Sequence, residues 1–130
     1  MRRLCAATAA VWLLSGCSQS PEKAAKDARD AAGSWGATLS AAAERWGSGE
    51  ISTSYFQSVV TQARTALQQE AQSARKSGGD SAAAPVDAVA SHLDALNDAV
   101  TRGDRAAAMG AAHAAASAVP AEPTPPVARP

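Results

Sequence analysis

Cysteine and histidine are the side chains best suited to nucleophilic or metal chemistry, and the chain holds two of each: Cys5, Cys17, His92 and His113. His92 stands 11 residues before Gly103 and His113 stands 10 after it. A helical hairpin turning at Gly103 would therefore set the two histidines opposite each other. A transition-metal site needs three or four ligands with partners behind them. No third ligand has matching spacing, because Asp94 and Asp98 are not one helical turn from His92. No metal site is expected, and the histidines are read as partly exposed side chains flanking a helix seam.

Other catalytic patterns are missing as well. No pair of carboxylates has a spacing suited to acid–base work. The glycine-containing stretches at residues 33–36 (GSWG) and 47–50 (GSGE) lack the lysine of a phosphate-binding loop and the strand before it. The serines are many, yet none sits in a nucleophile elbow. Nothing supplies a base–nucleophile pair, so the chain is not expected to be an enzyme. No small-molecule substrate and no cofactor are evident. Arg102, Gly103 and Asp104 spell an adhesion-type tripeptide, but they read better as helix punctuation. Gly103 would close one helix and Asp104 would cap the next.

That leaves Cys17. Met1 is followed by Arg2 and Arg3, and residues 4–14 carry no charge. A basic start and a short apolar run make a secretory signal peptide. The run has 11 residues, whereas a membrane-crossing helix needs about 20. It ends on Leu14, Ser15, Gly16 and Cys17: an aliphatic residue, two small ones and a cysteine. This motif resembles the lipobox of bacterial lipoproteins, position by position. The resemblance implies a diacylglycerol on the Cys17 sulfur and cleavage between Gly16 and Cys17. It also implies an acyl chain, of the palmitate type, on the new amine. Residues 1–16 are then the signal peptide and 17–20 a lipidated tether. The expected location is the cell envelope: the periplasmic side of the outer membrane in a Gram-negative cell, otherwise the outer face of the cell membrane.

Lipidation has an energetic meaning. Each buried methylene contributes about 0.8 kcal/mol, and one acyl chain binds a bilayer only reversibly, so two or three make a durable anchor. The cysteines are then used up. Cys5 leaves with the signal peptide and the Cys17 sulfur carries lipid, so no thiol remains for a disulfide. Past residue 16 there are ten basic and twelve acidic residues. A net charge near −2 gives no footprint for nucleic acid and no polybasic patch for anionic lipid. The membrane contact falls to the acyl chains.

The rest of the chain must position whatever the protein presents. Apolar residues at Ala28, Ala32, Trp35, Leu39, Ala42 and Trp46 repeat at helical spacing. Gly33 and Gly36 interrupt that helix, for close packing or a bend. Phe56, Val59, Val60, Ala63, Leu67, Ala71 and Ala74 form a second stripe, entered either through a staple from Ile51 to Phe56 or through a capping box of Ser54 and Gln57. Gly78 suits a left-handed cap at its end. Residues 78–85 read as the main linker, with Pro85 opening a third helix along Val86, Val89, Leu93, Leu96 and Val100. A fourth helix is mostly alanine, with Met109 and Val119. The expected helices are about 21–46, 53–77, 85–102 and 105–119, in one helical domain at 21–119. Residues 120–130 hold five prolines and are expected to be a disordered or polyproline tail.

No period-2 pattern is long enough for a strand, so the fold class is all-α: a small irregular four-helix bundle, or two helical hairpins. Its core should be thin, because alanine buries little area. Trp35 and Trp46 share nearly one helix face, and Tyr55 and Phe56 follow just after the turn. These four are expected to close the end of the core near the first loop. Alternatively they form an exposed aromatic groove for a peptide or partner helix, or touch the membrane interface.

The functional expectation is a non-enzymatic, membrane-anchored lipoprotein with a structural or adaptor role. Small Ala-rich helical lipoproteins such as the murein lipoprotein are a loose parallel. This chain lacks their single long heptad helix and the C-terminal lysine that joins peptidoglycan. The alternative is a partner-binding escort, which resembles the all-α pilotins of secretion systems, although the disulfide that some of them carry is missing. Its binding face would be Trp35, Trp46, Tyr55 and Phe56, and its partner another envelope protein.

Overall fold

Helix α1 (Pro21–Gly47) starts where its first turn is already provided for. The Ser20 hydroxyl accepts a hydrogen bond from the Lys23 N–H at 3.2 Å. Pro21 takes the first helical position, where a missing N–H costs nothing. The helix stops at Gly49, whose φ of 79° lies in the left-handed region. Gly49 N–H donates to the Trp46 carbonyl and Glu50 N–H to the Arg45 carbonyl, which is a Schellman closure. The computed structural model describes residues 20–120. The signal peptide, the lipobox with Gly16 and Cys17, the first three residues of the tether, and residues 121–130 of the expected tail lie outside the described residues.

Helix α2 (Thr53–Ala90) is capped by Ser52, which accepts from the Tyr55 N–H at 3.1 Å. The cap is therefore Ser52, and Ser54 and Gln57 make no capping box. Ile51 and Phe56 occupy the two positions of a hydrophobic staple, and both belong to the core region. α3 (Leu93–Thr101) and α4 (Arg105–Ser117) complete the fold. Between them Gly103 has φ 69°, and Asp104 caps α4 by accepting from Ala107 N–H at 3.0 Å. The tripeptide at 102–104 is thus helix punctuation. The described residues are helical with no strands, and the fold is an all-α small helical bundle.

The expected linker at residues 78–85 is reduced to a turn at Gly79, which separates two helical limbs. α2 runs through it, broken only at Gly79 (φ 74°, ψ −168°), a conformation open essentially to glycine. Gly79, not Gly78, has the positive φ. Gly78 serves packing instead: a Cβ there would lie 2.6 Å from the Ala82 Cβ and 3.3 Å from the Pro21 carbonyl oxygen. Pro85 stands inside the helix rather than opening it. The helix expected over 85–102 is also interrupted, at Ser91 and His92, so that α3 is a short separate element. The alanines at 82 and 83, read as linker, are buried. Helix-forming alanines outweighed the polar and glycine punctuation that suggested a loop.

Gly79 reverses the chain. Along a straight helix Arg75 and Asp87 would be about 18 Å apart. Instead Arg75 donates from Nε to Asp80 at 3.2 Å and from Nη2 to Asp87. Arg64 reaches Asp94, 30 residues on, at 2.7 Å. The limb 80–90 and α3 therefore run antiparallel to the limb 53–78. The first limb is antiparallel to α1, with Trp46 beside Thr53 at one end and Gly78 beside Pro21 at the other. α4 returns along α1, with Glu44 facing His113 and Gly36 facing Ala116. The result is an up-down-up-down bundle in which α1 packs on α2 and α4.

Alanine supplies more than half of the buried apolar positions. The core is graded along its length. Trp46, Phe56, Leu96 and Val100 fill the end that carries the turns at Gly49 and Gly103. Ala24, Ala28, Ala74, Ala82 and Ala83 fill the end that carries Gly79. On α1 the buried line runs through Ala28, Ala32, Gly36, Leu39, Ala43 and Trp46, so Gly36 takes the central place expected for Trp35. The reason is steric: a Cβ at Gly36 would lie 2.9 Å from the Ala116 Cα and 3.2 Å from the Ala115 carbonyl oxygen. Gly33 has nothing within 4 Å of such a Cβ, and nothing in the structure explains it.

Two pairs of variants test this architecture. Gly36→Ala gains helix propensity of about 0.5–1 kcal/mol but overpacks against backbone, which costs about 1–3 kcal/mol. Its melting midpoint should fall. Gly33→Ala meets no neighbour and should raise the midpoint by several degrees, at about 4–8 °C per kcal/mol. A rise in both would show that α1 and α4 are not in close contact. In urea titration, Gly79→Ala should cost about 1–3 kcal/mol. Arg75→Met should shift the urea midpoint far less, as loss of exposed ion pairs does. The reverse ranking would mean that the arginine, not the backbone, makes the turn.

Candidate functional site

The two turns that end α1 and begin α2 set the aromatic residues in place. Trp46 is the last large residue of α1 and is buried. Its indole N–H donates to Thr53 Oγ1 at 3.1 Å, so the ring's polar edge is satisfied within the first turn of α2. The Trp46 and Phe56 rings pack with centroids 5.6 Å apart and planes tilted by 46°. Phe56 is fully buried, and Trp35 is half-buried against the core. Tyr55, one residue before Phe56, points the other way and is 59% exposed. It is the one exposed large hydrophobic residue among the described residues. The four aromatics therefore do not share one exposed face: Trp46 and Phe56 close the core end, and Tyr55 is left outside.

Tyr55 borders an open groove of about 600 Å³ between the end of α1 and the start of α2. Thr38, Ala41, Arg45, Ile51 and Val59 line it with Tyr55. Its lining is mixed: alanines, Ile51 and Val59 stand beside Thr38, Ser52 and the exposed pair Arg45 and Glu50, 3.8 Å apart. Such a shape accepts an apolar side chain flanked by polar backbone. Ile51 and Val59 were not singled out for a site in the sequence. Val59 belongs to a Val59, Val60 pair, only one of which can face the core centre. The buried spacing Phe56, Val60, Ala63, Leu67 already leaves Val59 to the side.

Elsewhere among the described residues the titratable groups lie at the surface and not in a buried cluster. His113 is exposed and lies 3.7 Å from Glu44 across the α1–α4 seam, an ion pair only when the imidazole is protonated. His92 is half-buried at the start of α3 and makes no side-chain cap. His113 thus faces α1. Among the described residues, no three of His, Cys, Asp and Glu cluster as metal ligands. No polar or charged residue there is buried, and the one buried side-chain polar atom without a partner is Arg29 Nε. Hydrogen bonding to Asp87, then its charge, hold the Arg75 guanidinium above its usual pKa, with Asp80 adding to both. That residue ties α2 to itself and stays charged. No helix among the described residues is long and apolar enough to cross a membrane.

Thr53→Val removes the partner of the Trp46 indole and leaves a donor poorly satisfied, which costs about 1–3 kcal/mol. Its thermal midpoint, followed by circular dichroism, should drop by several degrees. Tyr55→Ala should stay within about 0.5 kcal/mol of the parent, as a surface substitution does. A large loss from Tyr55→Ala would show that the ring packs rather than presents itself. Comparison of the chain with protein-family models, with curated proteins and with solved structures found no match.

Proposed function

We propose that the protein is a membrane-anchored lipoprotein of the cell envelope with a non-enzymatic, structural or adaptor role. The observation that carries this reading is in the sequence. Arg2 and Arg3 precede an uncharged run that ends on Leu14, Ser15, Gly16 and Cys17, the lipobox pattern. Lipid on Cys17 holds the protein at the bilayer, and the bundle carries the role. The closed, alanine-rich core and the evenly mixed surface charge support a spacer or adaptor. In a Gram-negative cell the site of residence is the periplasmic face of the outer membrane. Otherwise it is the outer face of the cell membrane.

A second reading is favoured by one observation, the groove beside Tyr55. An exposed aromatic beside a groove of mixed apolar and polar lining suits a peptide or helix from an envelope partner, and it would make the protein an escort of the pilotin kind. Trp46 and Phe56 belong to the core in this reading and support the groove from behind. Tyr55, with Ile51 and Val59, makes the contact.

Growth with a clickable fatty acid should label the full-length wild-type chain and leave Cys17→Ser unlabelled. The variant should also migrate as the longer, uncleaved form, since lipoprotein signal peptidase acts on the lipidated cysteine. Label that survives the substitution would sink the anchoring reading.

A further inference from the structure

We infer that the bundle stands on the membrane by the end that carries the α1 N-terminus and the turn at Gly78 and Gly79, with lipid headgroups as the surface it meets, and holds the Tyr55 groove away from the bilayer. The inference rests on the reading of Cys17 as the lipidated residue.

Three residues, 18–20, separate Cys17 from the first helical residue, Pro21. Even fully extended they span only about 11 Å. Ser20 is itself fixed as the cap of α1, so the helix begins almost at the anchor. The turn at Gly78 is at the same height, since a Cβ there would lie 3.3 Å from the Pro21 carbonyl oxygen. These two elements form one end face. α1 then runs for 27 residues, which is about 40 Å at 1.5 Å per residue. At its far end lie the Trp46 to Thr53 hydrogen bond, the Gly49 turn and Tyr55.

An alternative posture would lay the bundle flat. A helix lies in the interface only through a large apolar face or a basic stripe. The long sides offer neither. The one exposed large apolar residue among the described residues is Tyr55, at the end remote from Pro21. Charges on the sides are of both signs and pair locally, as Lys23 with Asp27 and Arg64 with Asp94 do. Across residues 20–120 there are nine basic and eleven acidic side chains. A flat bundle would gain nothing from the bilayer, and an anionic leaflet would repel it. The short tether therefore fixes the near end, and no attraction draws the far end down.

The test uses the lipidated full chain, purified from membranes and reconstituted into phosphatidylcholine vesicles that include a headgroup nitroxide lipid. Cys5 leaves with the signal peptide and the Cys17 sulfur is acylated, so one added cysteine is the only free thiol. Ser81→Cys marks the near end and Ser54→Cys the far end; both positions are exposed. Each is labelled with an environment-insensitive fluorophore. Vesicle flotation is read first, since a chain that stays unbound overturns the anchoring reading and the orientation with it. For the bound chain, with ends about 40 Å apart, quenching at Ser81→Cys should exceed that at Ser54→Cys at least threefold. Equal quenching, or stronger quenching at Ser54→Cys, in a chain that floats would overturn the orientation alone.

Discussion

The bundle is closed by the approach of the α4 backbone to α1 at Gly36. The α1–α2, α2–α3 and α3–α4 seams join elements that follow one another in sequence, so short turns bring them together. The seam between α1 and α4 has no such help. It depends on Gly36 lacking a side chain, because Ala115 and Ala116 occupy the space a Cβ would need. Ala112 and Ala115 on α4, and Ala32 and Ala43 on α1, are buried as well. Small residues give up burial area per residue but let backbones approach, and dispersion across a tight seam replaces part of what larger side chains would supply. Larger buried residues, Trp46 and Phe56 among them, fill the end that carries the Gly49 turn.

Much of this was legible in the sequence, and the failures have physical causes. The four apolar stripes, the caps at Gly103 and Asp104, and the all-α class follow from periodicity and terminal chemistry. Gly36 was not legible as a core position, because periodicity is read from apolar side chains and glycine has none. Trp35 took its place in the sequence pattern and is half-buried beside it. The stretch 78–85 misled for the opposite reason. Two glycines, an aspartate, a serine and a proline announce a loop, yet one glycine suffices to reverse the chain, and the alanines resume the helix at once. Of the aromatic residues, the stripe through Phe56 already turned it inward; the failure was to group Tyr55 with it on one face, since neighbours in a helix point about 100° apart. The start of α2 at the Ser52 cap is in keeping with that register.

The candidate site gains its character from that same cap. With Ser52 fixed, Phe56 enters the core one turn along, Trp46 finds its hydrogen-bond partner in Thr53, and Tyr55 is forced to the outside. The groove is thus a by-product of how α1 hands over to α2. Residues of α1, of α2 and of the turn between them line it.

The glycine turns bear on how the chain acquires its structure. Each of Gly49, Gly79 and Gly103 joins helices that then pack side by side, so most contacts are local in sequence. Topologies of this kind fold in microseconds to milliseconds, because little loop entropy must be lost before contacts form. A chain emerging N-terminus first can pair α1 with the first limb of α2, then add the second limb and α3, in the order of emergence. α4 is the exception. It must find a partner far behind it in sequence, and it brings mostly methyl groups to the contact. The final closure is therefore the slowest-rewarded step, and a nascent chain waiting for it exposes Gly36 and its neighbours. The described residues hold no cysteine, so their packing alone must hold the closed bundle.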